Sequence, residues 1–300
     1  MQRTRIAVAG LVVGVARPSP MSYMGLMLSD DEQLLEQARA GQPEALEHLL
    51  ARHQAQVYRF GMRMCRNPED AKDVLQDTLL SVARNVRDFR AGSSISTWLY
   101  TIARSFCVKK RRKSKFAPPG AAAPLDTAAE HVVDPRASAD DAFASKQVEQ
   151  ALEMAIASLE PMYREVLLLR DVEGLTAPEV ARVTGASVQA VKSRLHRARL
   201  AVRAKVAPWL GIPTDLPAAP GACPDVLALF SSHREGELSA DVCARMERHL
   251  EACPRCKGAC DSLKRTLSLC RAAPAAAIPA EVQASVQAAL RDFLAGGRTH

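Results

Sequence analysis

The sequence predicts an all-α protein: two helical modules joined by a flexible linker, followed by a small helical domain rich in cysteine. Three observations carry this. Alanine and leucine abound while aromatics make up only 4% of the chain, a balance that favours helix over strand. Apolar residues recur at three- and four-residue spacing along most of the length. Of the 8 cysteines, all but Cys65 and Cys107 fall after residue 220, which sets the C-terminal segment apart and speaks for a local thiol or metal site rather than a disulfide framework. The net charge of +7 and the pI near 9.1 make polyanions the natural partners.

The elements follow in order. Residues 1–28 are expected to be a disordered or mis-assigned extension. Gln2–Arg5 before Ile6–Val15 has the look of a signal peptide, but the apolar run is too short to span a membrane, and Met21, Met24 or Met27 is a plausible start. Residues 29–115 read as helices. Ser29 or Asp30 caps the first, which carries Leu34, Leu35 and Ala38, and Gly41-Gln42-Pro43 breaks it. A second stripe holds Leu46, Leu49, Leu50, Val57 and Phe60. Asn67-Pro68-Glu69-Asp70 starts a third helix with Val74, Leu75, Leu79 and Val82; after the loop Ala91-Gly92-Ser93-Ser94, Trp98, Leu99 and Ile102 open a fourth. Residues 116–144 read as an Ala/Pro-rich linker, 145–210 as a second helical module, 221–272 as the cysteine domain and 273–300 as an Ala-rich tail with one amphipathic helix on Val282, Val286 and Leu290.

The second module reads as a helix-turn-helix. Thr176-Ala177-Pro178-Glu179 is a capping box, Gly185 supplies the positive φ of the turn, and Ser187 caps a helix running to about Lys205. That helix is apolar along Val188, Val191, Leu195, Ala198 and Val202 and basic elsewhere, which suits the major groove. Gln189, Lys192, Ser193 and His196 are placed to reach base edges, with Arg194, Arg197 and Arg199 among the groups for phosphates. The bland alternative is a solvated basic helix.

The first module has a second cationic patch: Arg104, Lys109, Lys110, Arg111, Arg112, Lys113 and Lys115, with Phe89, Trp98, Tyr100 and Phe106 upstream. Aromatics beside a basic helix can stack unpaired bases, and the polar loop around Ser93 and Ser94 can pocket a flipped base. Alternatively the aromatics are core and the cations a solvated helix end.

In the C-terminal domain, His249-x3-Cys253-Pro254-Arg255-Cys256 brings an imidazole and two thiols together at the junction of two helices, which suits tetrahedral zinc; Cys223, beside a proline, is the fourth candidate ligand. His233, Cys243, Cys260 and Cys270 exceed the needs of one zinc site. They read either as a metal or redox sensor, copper or cadmium suiting the surplus thiols, or as buried small hydrophobes. Cys65 and Cys107 read as core filling. A closed four-ligand site leaves no position for a catalytic water, so no enzyme is expected.

Over residues ~30–210 the chain resembles the extracytoplasmic-function (ECF) sigma factors. Asp73-Val74-Leu75-Gln76-Asp77-Thr78-Leu79, Phe89-Arg90 and Thr97–Ala103 look like region 2; Leu159–Val166, Gly174–Ala181 and Val191–Arg199 look like region 4. The stretch from Cys223 to Cys256 resembles a zinc-binding anti-sigma-like domain fused in cis, as in the metal-responsive subgroup. The resemblance implies a cytoplasmic, non-enzymatic initiation subunit. Asp73, Gln76 and Asp77 would dock on core RNA polymerase. Phe89, Ser93, Ser94, Trp98, Arg104, Lys109, Lys110 and Arg111 would open and hold the −10 element, and residues 187–199 would read the −35 element of promoter DNA. A separate anti-sigma factor, one in the membrane included, is compatible but not required, and the chain itself is not expected to bind a membrane. The competing class is a stand-alone helix-turn-helix regulator with a ligand-sensing tail, which would need neither the docking motif nor the Trp98 cluster.

Overall fold

The structure, a computed structural model, describes residues 30–89, 93–114, 139–212, 218, 222–272 and 277–296. The expected extension over 1–28, the Ala91-Gly92 step of the loop and most of the linker lie outside the described residues. Those described form helices and connecting turns, with no strand among them. No helix among them is long and apolar enough to cross a membrane.

The first module is α1 (Asp30–Arg39), α2 (Pro43–Cys65), α3 (Pro68–Asn85) and α4 (Ile95–Ser114). Pro43 fits the first turn of α2 because its missing N–H would be unpaired there anyway. Asn67 caps α3, its side-chain oxygen accepting from the N–H groups of Glu69 (2.8 Å) and Asp70 (3.1 Å). Between α2 and α3, a Cβ at Gly61 would lie 3.3 Å from the Cα of Ala71, so glycine is what lets these helices cross so closely. Leu49, Phe60, Val74, Leu75, Val82, Leu99 and Ala103 fill the space between them. Full burial of such large apolar side chains is worth ~1.5–3 kcal/mol each.

The second module is α5 (Ala139–Ala157), α6 (Pro161–Leu167) with a π turn over Leu168–Val172, α7 (Ala177–Thr184) and α8 (Val188–Val206). Its apolar core joins that of the first module. The third unit, α9 (Val226–Arg234), α10 (Ala240–Ala252) and α11 (Pro254–Ala272), has a cluster of its own around Val226, Phe230, Leu263 and Leu267. It packs on α8. The tail forms α12 (Ala280–Gly296), amphipathic on Val282, Val286 and Leu290 as expected. It lies on α3 of the first module, and the Arg84 guanidinium stacks over Phe293 at 5.5 Å. The tail helix thus packs back onto the first module.

Candidate nucleic-acid interface and metal centre

The helix-turn-helix is built by local chemistry. The Thr176 side chain accepts from the Glu179 N–H, and the Glu179 carboxylate accepts from the Thr176 N–H at 2.8 Å. Gly185 sits at φ 69°, and Ser187 Oγ accepts from the Ala190 N–H at 3.1 Å. Val191, Leu195, Ala198 and Val202 then turn fully inward. This aims the opposite face outward: Gln189, Ser193 and Arg197 are exposed, and Lys192, Arg194 and His196 half-buried.

Arg199 departs from the expectation. It is fully buried, donating to both Asp171 oxygens (2.8 and 2.9 Å), to Glu235 (2.7 Å) and to Ser231 (3.0 Å). Burial disfavours its charge, but the carboxylates outweigh this and leave its pKa above the ordinary value. A guanidinium so engaged does not reach a phosphate; it anchors the C-terminal domain to α8. Nearby, Lys192 pairs with Glu237 of that domain at 2.7 Å, and Arg203 donates to Ser262 Oγ at 2.6 Å.

On the −10 side, Phe89 also departs from its expected role. It is buried, its ring tilted against the half-buried Trp98 with centroids 4.8 Å apart, and it props the tryptophan rather than offering a free face. Ser93 is half-buried and Arg111 exposed. Lys109 lies over the Phe106 ring at 5.1 Å. Lys110 forms ion pairs with Asp73 and, at 3.5 Å, with Asp70, so a residue expected on DNA holds one expected on polymerase. Asp77 is exposed and Gln76 half-buried beside it on α3.

The second module covers α4 with carboxylates. Glu165 accepts from Arg104 Nε at 2.9 Å. Glu173 accepts from Arg59 Nε (2.8 Å) and from the Tyr100 hydroxyl (2.7 Å). The hydrogen bond to Glu173 raises the Arg59 pKa, whereas burial first and Glu173 second push Tyr100 well above the usual phenol range. Glu179 completes the cover, accepting from Ser94 and Thr97 at 3.2 Å each. Burial opposes its charge, yet the bonds from Thr176, Ser94 and Thr97 prevail and hold its carboxyl below the ordinary range.

In the C-terminal domain the four expected ligands converge. The ligand atoms of Cys223, His249, Cys253 and Cys256 all lie within 4.8 Å of one another. His249 ends α10, Cys253 caps it, and Pro254 restarts the chain so that Cys256 enters the first turn of α11. His249 Nε2 is buried with no hydrogen-bond partner, as a group awaiting a metal would be. Burial and the neighbouring thiols of Cys223 and Cys253 push the Cys256 thiol up to about 12, a crowding that metal coordination relieves. The donor set of three thiols and one imidazole therefore fits a closed tetrahedral metal site. The surplus groups lie elsewhere. Cys243 Sγ is 3.4 Å from His233 Nδ1. Cys260 and Cys270 are buried, Cys260 facing the Val226 carbonyl at 3.8 Å.

Sequence reasoning missed the acidic partners Glu165, Asp171, Glu173, Glu235 and Glu237. No local signal marks them, since each acts on a cation dozens of residues away. It also missed that Cys65 and Cys107 meet, with sulfurs 3.5 Å apart.

Two cationic helices, one in a helix-turn-helix and one beside a tryptophan cluster, joined to a metal-binding domain, define a promoter-reading transcription protein. Comparison specifies the class. Residues 49–116 match the family model of sigma-70 region 2, residues 149–202 that of sigma-70 region 4, and residues 223–257 a zinc-finger family. The chain is 32% identical over 188 residues to the ECF RNA polymerase sigma factor SigM of Mycobacterium tuberculosis, spanning 61% of this chain and 90% of that one. It is 28% identical over 193 residues to the RNA polymerase sigma-H factor of Pseudomonas aeruginosa, spanning 62% and 98%. Among solved structures, CnrH in complex with the cytosolic domain of CnrY aligns with a TM-score of 0.45 and 25% identity, covering 60% of this chain and 99% of that one. The chain belongs to the ECF sigma factors of the sigma-70 family. Its activity is to direct RNA polymerase to promoter DNA for transcription initiation.

Proposed function

We propose that this sigma factor is a cytoplasmic, non-catalytic initiation subunit held closed by its own C-terminal domain. Asp73, Gln76 and Asp77 dock on core polymerase. Trp98, with Ser93, Ser94, Arg104, Lys109, Lys110 and Arg111, opens and holds the −10 element. Gln189, Lys192, Ser193, Arg194, His196 and Arg197 read the −35 element. Cys223, His249, Cys253 and Cys256 would hold zinc, which supplies a cross-link between α10, α11 and the segment before α9. Metal or redox input enters through the thiols of this domain, Cys243 included, and through His233 beside it. The inhibitory partner is then the chain itself rather than a separate anti-sigma factor.

One observation carries this reading: Glu237 of the C-terminal domain sits on Lys192, a cation that DNA would neutralise, just as Glu165 of the second module sits on Arg104 of the first. Such contacts compete with phosphate for the same charge. The test is transcription in vitro with purified core polymerase, comparing the full chain with one ending at residue 212. Higher promoter-specific output from the shorter chain is expected, and equal output overturns inhibition in cis. Lys192→Ala and Arg197→Ala should lower promoter affinity and flatten its salt dependence. A protein that binds duplex DNA alone yet never directs initiation would be a stand-alone regulator instead.

A further inference from the structure

Cys65 and Cys107 are free thiols outside the metal centre, on different helices of the first module, with sulfurs 3.5 Å apart. Cys65 ends α2 and is half-buried; Cys107 lies in α4 and is 4% exposed. A disulfide needs ~2.05 Å between sulfurs, so the pair is ~1.5 Å of approach from bonding. In a reducing compartment such pairs are transient and regulatory rather than structural.

The surroundings give the pair something to control. Arg63, two residues before Cys65, pairs with Glu153 of the second module, and the Met64 carbonyl accepts from Arg164 at 3.4 Å. Arg104, one helical turn before Cys107, holds Glu165. The thiols therefore lie directly behind the contacts that join the two sigma modules.

We propose that Cys65 and Cys107 form a reversible disulfide on exposure to peroxide, and that its formation loosens the closed arrangement of the two modules. The second half rests on the closed reading above. Cys65, the more accessible thiol, reacts first. Its sulfur attacks one peroxide oxygen, the O–O bond breaks, and the leaving oxygen takes the thiol proton and departs as water. The Cys107 sulfur then attacks the resulting sulfenic sulfur. The S–O bond breaks as the S–S bond forms, and the hydroxyl leaves with the Cys107 proton as a second water. Two thiols are oxidised by two electrons and one peroxide is reduced. The hydrogen bond with Cys65, and then burial, raise the Cys107 pKa, which keeps it a protonated resolving thiol until the sulfenic acid is beside it. Drawing the end of α2 and the middle of α4 together shifts Arg63, Met64 and Arg104 against partners whose bonds are length-sensitive.

The test treats the full, zinc-loaded chain with equimolar hydrogen peroxide, then maps its peptides without reductant and measures promoter output with core polymerase. Expected are a peptide linked through Cys65 and Cys107, its loss on adding dithiothreitol and in C65A and C107A, and a severalfold rise in transcript in the unsubstituted chain alone. Sulfinic acid at Cys65 without the linked peptide overturns the proposal. So does a linked peptide with unchanged output, or a rise that survives in C65A, which would belong to the C-terminal thiols. A reduced chain that directs no initiation would fail the functional reading instead, and the peptide map still decides the thiol chemistry.

Discussion

Helices α4 and α8 carry similar cationic faces, but the chain covers them in different ways. Over α4 the covering carboxylates are themselves buried: the Glu173 side chain is 2% exposed and that of Glu165 6%. Toward the N-terminal end of α8 the cover is a rim contact, with Glu237 34% exposed, while the strong anchor sits two turns further on at buried Arg199. Rim pairs are weak and screened by salt, whereas breaking a desolvated pair leaves a charge with nowhere to go. Loosening the cover at the N-terminal end of α8 is therefore the easier step; releasing the Arg199 anchor, like separating the two sigma modules, is the harder one.

The comparison can be broken most severely at Asp171. Asp171→Ala leaves the Arg199 guanidinium buried beside Glu235 alone, so a loss of ~3–5 kcal/mol is expected in thermal unfolding. A loss below ~1 kcal/mol would show that Arg199 is not the anchor. Next in size is Glu173→Gln, which keeps the shape but removes the charge shared by Arg59 and Tyr100. Charge-assisted bonds are worth ~1.5–3 kcal/mol, so about a tenfold shift toward separated modules is expected, read by the distance between spin labels on α3 and α7. Glu237→Gln should change stability by less than ~1 kcal/mol and raise affinity for a −35 duplex by at most about fivefold, with the gain fading at high salt. The smallest effect concerns pH. The Glu179 carboxyl is held below its ordinary range when folded, so its contribution is present above the unfolded value of ~4.3 and lost as pH falls through the lowered one. Amide exchange around Ser94 and Thr97 should thus speed up only in acid, with no change between about pH 6 and 8.

What was legible in the sequence was what local chemistry determines. The Thr176–Glu179 capping box, the Gly185 turn, the Ser187 cap and the His249–Cys256 junction each lie within a few residues, and each stands where it was expected. The amphipathic stripe of α12 was legible too, but not the face of α3 it covers. Arg199 and Phe89 were misread for one reason: a basic or aromatic residue in a DNA-reading segment looks the same whether it points out or in. Only a carboxylate 28 residues away, or a ring nine residues on, decides which.

Arg164 settles what happens to the second module when it lets go of the first. Its guanidinium donates to the carbonyls of Ile156, Ala157 and Leu159 at the end of α5, and by a longer bond of 3.4 Å to Met64 of the first module. Burial and the neighbouring cations Arg66 and Arg111 lower its pKa to about 10, still far above neutrality. On separation it gives up one long bond and keeps the rest, while the Met64 carbonyl passes to solvent at the exposed end of α2. The second module thus holds its own helix stop, independently of its contact with the first.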